Sequence, residues 1–150
     1  INMDRKIVPL IIVMKKINKN MTIINPKHSR GIMLIDIFSE DGYDEISLTS
    51  SFRLTTHAGE KVYQPADLGC SQVQQSDLHG GANVEESAKM LYKILQREGT
   101  MAQTQAVLAN AGAALWVAEK SASFQDGYLM AKESLESGRA FQAFKKFIMD

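Results

Sequence analysis

The spacing of apolar positions changes character partway along the chain. Up to residue 64 the apolar runs are short and strand-like, whereas from Asn83 onward they recur at the three-to-four residue interval of helices. Ile32-Met33-Leu34-Ile35-Asp36-Ile37-Phe38 is a near-continuous apolar run between Gly31 and Ser39-Glu40-Asp41-Gly42, which predicts a buried parallel strand. Its carboxyl end falls at Ser39 to Glu45, and in open α/β sheets the ligand crevice lies outside such ends. Arg53 to Thr56 and Lys61 to Gln64 read as two short strands around a hairpin turn at His57-Ala58-Gly59-Glu60. Pro65 to Leu78 mixes Pro, Gly, Ser, Gln and Asp and reads as a surface connection with one helical turn, closed by Gly80-Gly81.

The second half reads as helices with recognisable ends. Asn83 stands as an N-cap with Glu86 three residues later, and Val84, Ala88, Leu91 and Leu95 fall on one face before Gly99 ends the segment. Thr100 to Glu119 predicts a second helix whose Ala111-Gly112-Ala113-Ala114 run permits close approach to a neighbour, so it is expected to be the buried central one. Ser123 with Asp126 starts a third, with Phe124, Tyr128, Ala131 and Leu135 inward and Gly138 as its break. Arg139 to Ile148 is short and amphipathic. Residues 1–30 show no clean periodicity and are expected to be irregular.

The run from Ile7 to Met14 is far below the ~20 apolar residues that span a bilayer. Lys15-Lys16 stands where a signal peptide would need small residues, which favours a cytoplasmic protein. In 150 residues, 45% are apolar and 23% charged, enough for one domain with one core. Seventeen basic residues balance seventeen acidic ones, so no overall field draws the chain to nucleic acid or an anionic membrane, and any anion site must be local. Cys70 is the only cysteine, which excludes an intrachain disulfide and a cysteine-based zinc cluster and reads as packing.

Asp41, Asp44 and Glu45 form the densest acidic cluster. Hard oxygen ligands on a glycine-containing loop suit Mg²⁺, which takes one or two carboxylates and completes its shell with water and phosphate oxygens. Spacing alone favours the blander reading of a solvated acidic loop. His28, His57 and His79 are scattered without partners at ligand spacing. Gly80-Gly81 ahead of a helix start could bind phosphate, but Glu85 and Glu86 in the first turn oppose it, and a turn with ordinary capping is the better reading. Trp116, Phe124, Tyr128, Phe141, Phe144 and Phe147 read as core or interface, and Asn110 as the donor or acceptor of a structural hydrogen bond. No nucleophile, Walker-type loop or Rossmann glycine pattern is present.

Glu40-Asp41-Gly42-Tyr43-Asp44-Glu45-Ile46-Ser47-Leu48-Thr49 resembles the Gly-x-Asp-Glu-Ile-Ser segment of anthranilate phosphoribosyltransferases. Leu68-Gly69, Asp77-Leu78-His79-Gly80-Gly81, Asn110-Ala111-Gly112-Ala113-Ala114-Leu115 and Glu136-Ser137-Gly138-Arg139-Ala140 follow in family order, over about residues 32–150. The resemblance implies an α/β fold, here a fragment of the family's large α/β domain: a few strands followed by a carboxy-terminal helical cluster, with residues 31–150 as the partial phosphoribosyltransferase domain and 1–30 unmatched. It implies transfer of phosphoribosyl from phosphoribosyl diphosphate to anthranilate in tryptophan biosynthesis, with Asp44 and Glu45 holding Mg²⁺ and Ser47 and Thr49 flanking the site. The Asp-Glu-Ile-Ser run argues against a related nucleoside phosphorylase.

The family's Gly-Thr-Gly-Gly-Asp phosphate loop, its Asn-x-Ser-Thr and Lys-His-Gly-Asn-Arg stretches and its amino-terminal helical domain do not occur in these 150 residues. Two expectations follow. In one, the chain is a phosphoribosyltransferase domain that works only with a partner chain supplying the missing motifs. In the other, it is a non-catalytic remnant or a protein-interaction fragment.

Overall fold

The computed structural model describes residues 15–17, 20–25, 33–43, 45–56 and 58–149. Five strands come first: β1 (Lys15–Ile17), β2 (Asn20–Asn25), β3 (Met33–Ser39), β4 (Phe52–Thr56) and β5 (Gly59–Tyr63). Four helices follow: α1 (Val84–Leu95), α2 (Met101–Val117), α3 (Phe124–Glu136) and α4 (Arg139–Met149). Two single-turn 3-10 helices, Pro65–Leu68 and Gln75–Leu78, occupy the connection between the two halves. The α/β expectation of strands followed by a helical cluster therefore holds. Within residues 1–30, expected to be irregular, the described positions form β1 and β2.

The sheet runs in the order β1-β2-β3-β4-β5, with every neighbouring pair antiparallel. The expectation of a parallel strand at residues 32–38 is corrected accordingly. Ile37 faces Met21 of β2 and Leu54 of β4 in register, both in antiparallel pairs. A parallel partner needs a long crossover, usually a helix, and the chain passes from β3 to β4 through residues 40–51 without one. A strand covered on both faces gives the same unbroken apolar run in either direction, so the run carried no directional signal. The β4–β5 hairpin lies where the turn residues put it, with Thr56 paired to Gly59; His57 is outside the described residues.

Helix starts follow their caps. Asn83 accepts from the Glu86 N–H at 2.9 Å. Thr100 and Gln103 form a reciprocal capping box, and Ser123 accepts from the Asp126 N–H at 3.1 Å. Each such cap is worth about 1 kcal/mol. Gly138 follows α3 with φ +79°, a left-handed position that a residue without Cβ takes at no steric cost.

One core joins the layers. Ile37, Phe52, Leu54 and Tyr63 come from the sheet, Ile46 and Leu48 from the loop after β3, and Leu108, Ala109, Ala113 and Val117 from α2. Phe124, Tyr128, Ala131 and Leu135 from α3 complete it, as their spacing predicted. α2 is apolar almost all round and sits centrally, packed most closely on α3. The contact is a backbone approach: a Cβ on Gly112 would lie 2.6 Å from the Tyr128 nitrogen, and one on Gly127 would sit on the Gly112 carbonyl oxygen.

α1 and α4 sit at the edge of this core and reach it through the partly buried Leu95 and Ala140. Periodicity grouped Val84, Ala88, Leu91 and Leu95; of these Leu95 packs against the core, whereas Val84 is 86% exposed and the residue α1 buries fully is Ile94. α4 buries no residue fully and leans on α1 through Phe141, whose ring meets Tyr92 edge-on at 5.2 Å. Phe147, expected in core or interface, is 81% exposed. Cys70 packs under α3, its thiol donating to the Tyr128 hydroxyl at 3.1 Å. Burial raises the pKa of both groups, so each stays neutral around pH 7.

Candidate functional site

The acidic loop lies between β3 and β4, and its backbone is ordered from three directions. At the end of β3, Ser39 donates its hydroxyl to the Glu45 carbonyl at 2.6 Å, and the Ser39 N–H donates to the Tyr43 carbonyl at 3.2 Å. From α2, Asn110 accepts from the Ile46 N–H at 3.2 Å and donates to the Ile46 carbonyl at 2.9 Å. From the following connection, the Val73 N–H donates to the Leu48 carbonyl at 3.1 Å and Gln72 donates its amide to the Thr49 carbonyl at 2.7 Å.

Ile46, Ser47, Leu48 and Thr49 are all buried, while Asp41 and Glu45 are exposed. The loop is thus a buried seat carrying solvent-facing carboxylates. Asp44, the other half of the expected metal pair, lies outside the described residues, so its position relative to Glu45 stays an expectation. Asp41 accepts a hydrogen bond from the Thr49 hydroxyl, and Thr49 in turn shares a 2.7 Å bond with the Ser47 hydroxyl. Ser47 and Thr49, which entered only as flanking residues, therefore orient Asp41.

Leu48 has φ +64°, a left-handed conformation disfavoured for a residue with a Cβ. A single such residue costs on the order of 1–3 kcal/mol and persists only where its surroundings fix it. Here a fully buried side chain and the bond from Val73 do so. Residue type gave no hint of this, since leucine is not enriched there. Ser39 was likewise missed, although a serine closing an apolar strand is the signal that could have marked it.

By type the exposed oxygens of Asp41 and Glu45 suit a hard divalent cation, which takes one or two carboxylates, while among the described residues no three such side chains come together. The other candidates do not converge on it. His79 accepts from the Gly81 N–H at 3.1 Å, and Glu86 accepts from the Ala82 N–H at 2.8 Å. The Gly81 and Ala82 amides are thereby engaged by the chain's own side chains, in keeping with ordinary capping. A groove of about 470 Å³ beside that turn mixes Lys89 and Lys93 with Glu86 and Glu98, which leaves it without net charge. No described helix is long and apolar enough to cross a membrane.

The pattern of this fold and loop has known counterparts. A family model described as glycosyl transferase family, a/b domain, matches residues 13–141, and the chain belongs to that family. The match takes in β1 and β2 as well as the segments recognised from residue 32 onward. Among curated proteins, the chain is 43% identical over 108 residues to the anthranilate phosphoribosyltransferase of Cytophaga hutchinsonii, covering 72% of this chain and 33% of the relative. It is 44% identical over 112 residues to that of Bacteroides thetaiotaomicron, covering 75% and 34%. The solved anthranilate phosphoribosyltransferase (TrpD) of Thermus thermophilus superposes with a TM-score of 0.69 at 28% identity, over 75% of this chain and 34% of that one. The Saccharomyces cerevisiae enzyme, solved in complex with PRPP and Mg, is alike in fold, with a TM-score of 0.64 at 17% identity over 76% and 32%. The chain spans about a third of the length of these relatives.

Proposed function

We propose that this chain is the loop-bearing part of an anthranilate phosphoribosyltransferase, with residues 31–150 carrying the partial phosphoribosyltransferase domain, and that it works in the cytoplasm on phosphoribosyl diphosphate and anthranilate. In the reaction, the anthranilate nitrogen forms a bond to the anomeric carbon of the ribose, the bond from that carbon to diphosphate breaks, and the nitrogen loses a proton. The observation that carries the reading is the seated loop after β3 with exposed Asp41 and Glu45, in a chain more than 40% identical over about three quarters of its length to enzymes of that name.

Asp44 and Glu45 are the residues proposed to hold Mg²⁺. Bound there, the ion supplies charge neutralisation that makes diphosphate a better leaving group, an effect worth several kcal/mol in related chemistry. The yeast relative's complex with PRPP and Mg supports this choice of ligand and ion. Calorimetry is expected to give Mg²⁺-dependent binding of phosphoribosyl diphosphate that vanishes when Asp44 and Glu45 are both replaced by alanine. Unchanged binding in that double variant would defeat the assignment.

We also propose a partner chain that supplies the phosphate-cradling motifs of the family. The 150-residue chain alone is expected to give no detectable turnover of anthranilate with phosphoribosyl diphosphate and Mg²⁺. Steady turnover by the purified chain would refute that dependence. The alternative is a protein-interaction fragment without catalysis, favoured by the apolar surface on α3 and α4, where Leu129 is 60% and Phe147 81% exposed. Sedimentation distinguishes the two, because a folded chain that associates yet binds no phosphoribosyl diphosphate supports the alternative.

A further inference from the structure

We infer that Asn110, on α2, is the positioning residue for the Glu45 carboxylate and acts through the peptide unit joining Glu45 to Ile46. That unit is held at both ends by different elements. Its carbonyl, on Glu45, accepts from Ser39 of β3 at 2.6 Å. Its N–H, on Ile46, donates to Asn110 Oδ1 at 3.2 Å. Asn110 Nδ2 then donates to the Ile46 carbonyl at 2.9 Å, which fixes the next peptide unit as well.

The Asn110 amide is itself set in one orientation. Nδ2 also donates to the Ala106 carbonyl at 2.9 Å, so flipping the group would place its oxygen against two carbonyl oxygens and its nitrogen against an N–H. The Cα–Cβ direction of Glu45 follows from the peptide planes on either side of it, and one of those planes is locked between β3 and α2. Burial of residues 46–49 seats the same backbone in the core, while the Glu45 side chain stays exposed. Only a side chain with a donor and an acceptor side by side can make this pair of bonds. Aspartate would set an acceptor against the Ile46 carbonyl, and alanine would leave both groups without a partner.

This inference rests on the proposed reading of Asp44 and Glu45 as metal ligands and goes beyond it by naming what holds one of them still. Removing an outer partner of a metal ligand typically weakens binding about 10–100-fold. The test is titration of the 150-residue chain with Mn²⁺, a spectroscopically visible stand-in for Mg²⁺, followed by electron paramagnetic resonance. Amide exchange at Ile46 is followed alongside it. Asn110→Ala, Asn110→Asp and Ser39→Ala are expected to weaken Mn²⁺ binding by about tenfold or more and to speed exchange at Ile46. Ile94→Ala, which truncates a buried side chain of α1 outside the core cluster that seats the loop, is expected to leave the affinity unchanged.

A folded Asn110→Ala chain that binds Mn²⁺ like the wild type would overturn the inference, as would equal weakening by Ile94→Ala. Should Asn110→Ala not fold, Ser39→Ala decides, since it frees the other end of the same peptide. A wild-type chain that binds no Mn²⁺ removes the metal reading and the positioning role with it. Wild-type binding with equally tight variants removes the positioning role alone.

Discussion

Gly127→Ala is expected to lower the stability of the chain by about 3 kcal/mol, at the upper end of ordinary overpacking. Two effects oppose each other. Alanine is the better helix former by ~1 kcal/mol, and α3 would gain that much if space allowed. The added Cβ, however, would sit on the Gly112 carbonyl oxygen, and the obstacle is backbone in the middle of α2 rather than the end of a flexible side chain. Relief requires moving α2 and α3 apart, which opens the most extensive helix contact in the molecule. The strain term wins. A thermal midpoint lower by about 6–12 °C follows for a chain of this size. Gly80→Ala is the control, because nothing lies within 4 Å of its added Cβ. Equal midpoints for the two variants would mean that the helices can part cheaply.

Phe124→Ala is expected to cost about 3–5 kcal/mol, the usual range for truncating a buried aromatic ring. Phe124 is 1% exposed at the first turn of α3 and touches both layers. Its ring meets Phe52 of β4 at 6.1 Å and Tyr63 of β5 at 5.3 Å, both edge-on, and stacks with Trp116 of α2 at 6.4 Å. Truncation removes the joint between sheet and helices. Urea unfolding measures the loss, and near-ultraviolet circular dichroism, reporting the sole tryptophan, should weaken with it. A loss under ~1 kcal/mol, as at an ordinary exposed site, would show that the cavity closes without that joint.

Helices were legible in the sequence because their ends are written locally. Asn83, Thr100 and Ser123 each bond to an N–H three residues on, so cap and helix are neighbours in the chain. The inward face of α3 was equally readable, since Phe124, Tyr128, Ala131 and Leu135 all turn toward the same core, built from α2 and the sheet. α1 was legible only at its carboxyl end, where Leu95 meets the core, because periodicity names an apolar face without saying how much of it is covered. The direction of β3 was not legible either, being decided by the connections on both sides rather than by its own residues.

The candidate site divides in the same way. Its acidic residues could be found from a ten-residue motif, and the expected structural role of Asn110 is met by its bonds to Ile46. The destination of those bonds could not be read, because Asn110 and Ile46 stand 64 positions apart and nothing at either position names the other. Leu48 adds a second illegible element: its left-handed backbone is imposed by burial and by Val73, both properties of the finished fold.

The same separation puts the loop and its clamp on different clocks. A chain made from its amino terminus exposes Ile46 long before Asn110 exists, and at ~5–20 residues per second the interval is roughly 3–13 s for the 64 positions between them. During that time the β4–β5 hairpin can close within microseconds, and the acidic turn beside it can lean on Ser39 and then on Gln72 and Val73, but not yet on Asn110. Its final shape arrives when α2 docks. The segment that looks most local in the sequence is therefore among the last to acquire its working form.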